Sequence, residues 1–192
     1  MPDRFQNFDD LRRNMSEADY RIRIVHRNSN VAIIAPHGGK IEPGTSLVAA
    51  AIAGEIFNLY CFEGNRVRGN RDLHVTSHRF DEPRCLALVE TVDVVVAIHG
   101  ERGRDDPDTT LLGGLDFALR ERIGEALSAC GFEARFNPGK LPGLQARNIC
   151  NRGRSSRGVQ LEIPRSLRDQ LAKNAERLEQ FSHAVRVALG AG

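Results

Sequence analysis

The chain has 192 residues, 41% of them hydrophobic and 27% charged, with 18 glycines and no tryptophan; this predicts one water-soluble domain with a real core and excludes disordered and fibrous classes. Twenty-seven basic against 25 acidic side chains leave a formal net charge of +2, too weak a field to draw nucleic acid or an anionic membrane by itself, so any basic function must be local. The four cysteines, Cys61, Cys85, Cys130 and Cys150, contain no C-x-x-C pair, which argues against a zinc knuckle or thioredoxin-like motif and predicts free, mostly buried thiols.

In chain order, MPDRFQNFDDLRRNMSEADYR is charged throughout and has no apolar segment of the signal-peptide kind. Residues 1–18 are expected at the periphery. No stretch reaches the roughly 18–20 apolar residues that span a bilayer, so a cytoplasmic location is expected, with lysis as a route of release. From residue 20 onward, short apolar runs alternate with helical-period segments, the pattern of an α/β domain with a buried sheet. The expected strands are 20–25 (YRIRIV), 31–35 (VAIIA), 58–62 (NLYCF), 73–76 (LHVT), 92–98 (VDVVVAI), 132–136 (FEARF) and 158–163 (GVQLEI).

Helices are expected at about 44–56, where Thr45 and Ser46 suit an N-terminus, at about 83–91 with Pro83 in the first turn, and at about 115–129, closed by Cys130-Gly131. A last helix is expected from about Pro164 to Leu189, where Leu167, Leu171, Leu178, Phe181, Val185 and Leu189 form one apolar stripe. Two polar segments, 100–114 and 137–157, are long for loops of a compact domain, which marks them as candidate functional segments. No internal repeat or linker divides the chain, so a single domain spanning 1–192 is expected.

Polar groups stand at the downstream ends of three expected strands: His37 after VAIIAP, His99 after VDVVVAI, and Glu162 within GVQLEI. Ligands of open α/β sheets bind beyond the carboxyl ends of the strands, where these three can meet. A polar residue closing an apolar run is costly to bury without a partner or a metal. With Glu42, reached from His37 through a turn that Gly38 and Gly39 permit, His37 and His99 form a His2Glu donor set suited to catalytic zinc. Each alone has a plainer reading, since a strand-end histidine usually satisfies the core and a carboxylate beside a helix start usually serves its dipole. Their coincidence is what points to a metal.

The blocks APHGGKIEPGTS, YCFEG, LHVTSHRFDEP, VVVAIHGERG, LLGGLD and RNICNRGRSSRGVQLEIPRSLR together resemble the phage and bacterial poly-γ-glutamate hydrolases, in order and from about Asp19 to Arg168. The resemblance implies a single-domain three-layer α/β/α fold with a mixed, largely parallel sheet, similar to the zinc carboxypeptidases. It implies Zn2+ held by His37, Glu42 and His99, with Glu162 as the catalytic base and acid in hydrolysis of γ-glutamyl amides. Leu47 departs from the acidic residue that often follows G-T-S in the family. Against the metallocarboxypeptidases the first two ligands are spaced H-x-x-x-x-E rather than H-x-x-E, and Asn151-Arg152 follows His99 instead of preceding it, so recognition of a terminal α-carboxylate does not transfer.

A γ-glutamyl chain bears one free α-carboxylate per residue, which arginine's planar fork can hold with two hydrogen bonds. Arg152 is the first candidate for substrate binding and Arg147 the second, followed by Arg157, Lys40, His78 and Asn151; His74 and Asp81 are expected to support the site or to shape its loop. The expected partner is an anionic polymer or peptide. No nucleic acid is expected, since no aromatic residue lies between Phe136 and Phe181 to stack on bases, and no membrane; a monomer is the working expectation. The rival readings are a zinc amidase or carboxypeptidase acting on peptidoglycan or another acyl amide, and, further off, a nucleic-acid-binding accessory protein.

Overall fold

The computed structural model describes residues 3–101, 108–137, 139 and 142–191. Its centre is a seven-stranded sheet of β1 (Tyr20–Val25), β2 (Val31–Gly39), β3 (Asn58–Gly64), β4 (Val94–Glu101), β5 (Thr110–Gly113), β6 (Ala134–Phe136) and β7 (Val159–Pro164), in the order β1-β3-β2-β4-β7-β5-β6. The four central strands β3, β2, β4 and β7 run parallel, and β1 and β5 pair antiparallel with β3 and β7. Parallel strands are covered on both faces, which explains why VAIIA and VVVAI read as continuous apolar runs.

One face carries α2 (Thr45–Ala53), α4 (Phe117–Ala129), α5 (Arg165–Lys173) and α6 (Ala175–Ala188). Their Val48, Ile52, Ile123, Leu171 and Phe181 pack with Ile33, Val96 and Leu161 of the sheet. The opposite face carries α1 (Phe8–Asn14), α3 (Pro83–Val89) and single-turn helices at Asn70–Leu73 and Ile149–Arg152. There Phe8, Leu11, Leu88 and Ile149 pack with Ile34, Tyr60 and Val95. The result is the expected three-layer arrangement around a mixed, largely parallel sheet.

Four expectations change. LHVT is no strand: Asn70–Leu73 is a helical turn, after which the Thr76 N–H goes to the Asp3 carboxylate at 2.7 Å and the Val75 carbonyl to His37 at 2.8 Å, so side chains satisfy the backbone in place of a ladder. Within 100–114, read as a loop, Thr110–Gly113 forms β5, a strand too short to show alternation; residues 102–107 lie outside those described. The long C-terminal helix breaks at Asn174, whose extended backbone (φ −130°, ψ 101°) ends α5 while its side chain caps α6 by accepting the Arg177 N–H at 3.0 Å. Residues 1–18, expected at the periphery, contribute Phe5, Phe8 and Leu11 to the core. Burial of each such side chain contributes roughly 1.5–3 kcal/mol, which docks the arm that carries Asp3.

Where β2 ends, the fold depends on glycine. The pairing of β2 with β3 shifts register between Ala35 and Gly38, and Gly39 has φ +61° with its would-be Cβ 2.6 Å from the Gly64 carbonyl oxygen. Gly39→Ala therefore adds strain to a backbone clash and is expected to cost about 3 kcal/mol, read as a fall in Tm of roughly 10 °C; an unchanged melting curve would refute the tight passage.

Candidate active site

The register shift in β2 decides which way His37 points. Ala35 belongs to the core under α2, and strict alternation would send His37 to the same face. Instead its ring meets Phe80 edge-on at 6.3 Å and its Nε2 lies 2.8 Å from the Val75 carbonyl oxygen, both on the opposite face. Irregularities of this kind re-aim side chains beside functional sites. His99 and Glu162 need no such device, since they alternate normally along β4 and β7 and stand side by side in register.

Glu42 returns to His37 through a closed turn. Its N–H donates to the His37 carbonyl at 2.9 Å, and its own carbonyl accepts from the Thr45 N–H and hydroxyl at 3.2 and 2.8 Å. Arg168 fastens the floor: its guanidinium donates to the carbonyls of Pro43, of Glu101 at 3.0 Å and of Ile163 at 3.0 Å, joining the Glu42 turn to the ends of β4 and β7. Gly100 leaves space for that side chain and donates its N–H to Glu42 Oε2 at 2.8 Å.

Three donor atoms converge. His37 Nδ1 lies 3.4 Å from Glu42 Oε2 and 3.1 Å from His99 Nδ1, and His99 Nδ1 is 3.9 Å from the same carboxylate oxygen. A carbonyl only accepts, so His37 Nε2 carries its proton to Val75 and the neutral ring presents a lone pair at Nδ1. With His99 donating from Nε2 to Ser77 Oγ, 3.2 Å away, its Nδ1 presents another. Two lone pairs and a carboxylate oxygen this close repel unless a positive centre lies among them.

The residues fit a metal ion in that place. Two ligands about 2 Å from one tetrahedral ion are roughly 3.3 Å apart, close to the separations observed, and among the described residues His37, Glu42 and His99 form the cluster able to hold one. The electrostatics agree. Burial would raise the Glu42 carboxyl, but His37, His99 and His74 hold it down at about 2. Burial opposes the charge on His37 too, yet the Glu42 carboxylate and the Val75 carbonyl raise it, whereas burial and His37 push His99 down to about 3. The site accepts one positive charge and resists a second.

The other groups divide unevenly. Glu162 and the triad open on one cavity of about 520 Å3, whose wall also holds Arg71, His74, Ser77 and His78. His74 stacks on His37 with ring centroids 3.9 Å apart, is held at Nδ1 by Asp3 at 2.7 Å, and approaches Glu42 Oε1 at 3.8 Å. Burial and the neighbouring His37 lower it to about 4. Asp81 accepts the Phe8 N–H at 2.7 Å and so ties α1 to the loop.

Asn151, expected to bind substrate, is committed to the backbone instead. Its carbonyl oxygen accepts from Leu115 and Gly158, and its amide donates to Gly143 at 2.7 Å and Gln145 at 2.9 Å, two residues of the cavity wall. Arg157 lies 3.8 Å from Asp116 and Lys40 donates to the Arg66 carbonyl; neither lines the cavity. Arg147 and Arg152 line an adjoining hollow instead. Sequence reasoning missed Asp3, Arg71, Ser77 and Gln160. Asp3 meets His74 across 71 positions, and no local pattern signals such a contact.

The profile of the poly-gamma-glutamate hydrolase family matches residues 5–186. The chain belongs to that family. It is 40% identical over 171 residues to UPF0714 protein YmaC of Bacillus subtilis (strain 168), a match covering 88% of this chain and 72% of that protein. A bacteriophage poly-gamma-glutamate hydrolase has the same fold, with TM-score 0.91 and 28% identity over 98% of this chain and 97% of that one. A zinc-free apo structure of YndL also matches with TM-score 0.91, at 31% identity over 98% of both chains. As a family member this chain is a hydrolase. No helix among its described residues is long and apolar enough to cross a membrane, and Cys61, Cys85, Cys130 and Cys150 are all free.

Without metal, burial and the nearby Glu42 and Glu101 carboxylates raise Glu162 to about 8. Between its ordinary value near 4.5 and 8 the folded protein then holds a proton that the unfolded chain releases, so this group lowers stability as pH rises through that window. Glu162→Gln should melt progressively higher than the native metal-free protein from pH 5 to pH 8.5. A constant difference across that range would show that Glu162 titrates normally.

Proposed function

We propose that the protein hydrolyses γ-glutamyl amide bonds, of poly-γ-glutamate above all, with zinc held by His37, Glu42 and His99. The observation that carries the reading is the convergence of those three donor atoms in one cavity that the Glu162 carboxyl also lines. Family membership supplies the substrate class, and the YndL comparison supplies the choice of zinc.

Zinc bound there would supply Lewis acidity, polarising the scissile carbonyl and bringing the pKa of water toward neutrality. Glu162 takes the proton that water loses and delivers it to the leaving nitrogen, a double duty that requires an intermediate proton affinity. Gln160 steadies Glu162 by donating to Oε1 at 3.1 Å, and Asn148 fixes Gln160 in turn with a bond of 2.9 Å. A positive metal beside Glu162 would offset the Glu42 charge and lower its pKa below the metal-free value, which favours the base form at the start of the reaction.

The α-carboxylate beside the scissile bond needs a cation that the protein has not already paired. Arg71 stands on the cavity wall without an ion pair among the described residues, and its fork suits that carboxylate. His74, kept neutral by burial and oriented by Asp3, offers a hydrogen-bonding edge beside Glu42 without adding charge.

Zinc titration of the apo protein should saturate at one ion, with His37→Ala and His99→Ala losing stoichiometric binding; retention in both variants would refute the site. Glu162→Gln should keep the zinc and cleave poly-γ-glutamate roughly a thousandfold more slowly in kcat. Cleavage by that variant at the native rate would remove Glu162 from the mechanism.

A further inference from the structure

Both histidines of the metal cluster find their outer hydrogen-bond partners in one three-residue stretch. His37 Nε2 donates to the Val75 carbonyl at 2.8 Å, and His99 Nε2 lies 3.2 Å from Ser77 Oγ. Between them stands Thr76, whose N–H donates to Asp3 Oδ2 at 2.7 Å. The Val75 carbonyl and the Thr76 N–H belong to a single peptide unit. No peptide bond among the described residues is cis, and a trans amide points its oxygen and its hydrogen in opposite directions. A buried carboxylate therefore sits at one end of this amide and a metal-binding imidazole at the other.

We infer that Asp3 acts on the metal site through that amide: carboxylate, Thr76–Val75 peptide and His37 ring form a hydrogen-bonded relay that fixes the His37 tautomer and raises zinc affinity. Asp3 is thus a positioning residue, and the arm before α1 tunes how tightly the metal is held. The inference rests on the zinc site proposed above and is independent of the substrate. Its physical basis is amide resonance, since an anion accepting from the N–H drives electron density onto the carbonyl oxygen and strengthens the bond that oxygen accepts. A carboxylate that binds the outer N–H of a metal-ligating histidine raises the ring's basicity and orients it. Here one peptide unit is inserted between the two.

Docking of the arm does not account for Asp3. Phe5, Phe8 and Leu11 already anchor the arm in the core, Asp81 accepts the Phe8 N–H at 2.7 Å, and Arg4 pairs with Asp72. A carboxylate whose side chain is only 4% exposed adds a desolvation cost unless its oxygens are well used. Those of Asp3 are used entirely within 74–79: Oδ2 also meets the Arg79 guanidinium at 3.2 Å, and Oδ1 meets His74 Nδ1 at 2.7 Å. Burial works to raise the Asp3 carboxyl, but Thr76 and His74 hold it below its ordinary value, which keeps it charged.

The His74 branch leads to the same ligand, because that ring stacks on His37 with centroids 3.9 Å apart. On the other side of the stretch the Ile149 N–H donates to the Ser77 carbonyl at 3.0 Å. The two outer contacts of the cluster are therefore clamped between Asp3 and the helical turn at Ile149–Arg152. The turn supplies only position; the arm also supplies charge.

The test compares native protein with Asp3→Asn, which keeps the size of the side chain but removes its charge and one accepting oxygen, and with Arg4→Ala, which loosens the neighbouring arm contact and leaves the relay intact. Zinc affinity is measured by competition with a chromophoric chelator, and the His37 ring nitrogens and the Thr76 amide proton are followed by NMR in metal-stripped protein. Asp3→Asn should still bind one zinc but about tenfold more weakly, with the His37 Nε2 proton moved upfield as its bond to Val75 lengthens. Arg4→Ala should match the native protein in both readouts. In the native protein the Thr76 amide proton should be far downfield and slow to exchange, an observation that needs no variant.

Equal zinc affinity in Asp3→Asn and the native protein would overturn the relay and leave the zinc site standing. So would an unmoved His37 proton, a fast-exchanging Thr76 amide, or an equal loss of affinity in Arg4→Ala, which would assign the effect to a loosened arm. Native protein that takes up no zinc, while Asp3→Asn still shifts the His37 proton, would overturn the zinc reading and leave the hydrogen-bonded relay in place. Melting curves of both variants separate a change at the site from loss of fold.

Discussion

Two imidazole nitrogens and a carboxylate oxygen, held 3.1 to 3.9 Å apart in a buried space, demand a positive charge, and much of the structure serves to keep them together. The Glu42 turn is closed onto His37 by its own backbone, Gly100 fixes the carboxylate oxygen, and Arg168 binds the carbonyls of three segments beneath it. A cation entering such a site offsets the repulsion among its donors, so their spacing and their affinity for a ligand are two aspects of one arrangement.

The same constraint accounts for the glycines and the irregular backbone. Strand β2 must fit closely beside β3, turn back at Gly38-Gly39 and still present His37 to the face away from α2. A regular strand would do none of this, because alternation would bury the histidine beneath the helices. The register shift is therefore part of the site. Its effect is local, while the apolar packing on both faces of the sheet provides the stability that tolerates it.

Much of the fold was legible because the central strands are buried on both faces and their helices carry clear ends. His37, Glu42, His99 and Glu162 could be selected because each interrupts or closes an apolar pattern. The arginines were harder to place. Arg147, Arg152 and Arg157 share one loop and look alike in sequence, yet two line a compartment beside the catalytic cavity and the third lies near Asp116. Asn151 looked like a substrate group and proves to use its whole amide in holding the cavity wall. Side-chain hydrogen bonding depends on neighbours that a loop sequence does not specify.

By itself the sequence determined the layer architecture, the four groups of the proposed chemistry and the family, since hydrophobic period, strand-end polarity and ordered motifs are written along the chain. Tertiary structure decided what distance along the chain conceals. It joined Asp3 to His74 across 71 positions, put Arg71 on the cavity wall and set Arg168 under the Glu42 turn. It also turned His37 against the alternation of its strand. These outcomes depend on how separate segments pack, because hydrogen bonds and charges act through space and a local sequence pattern records only the segment that contains it.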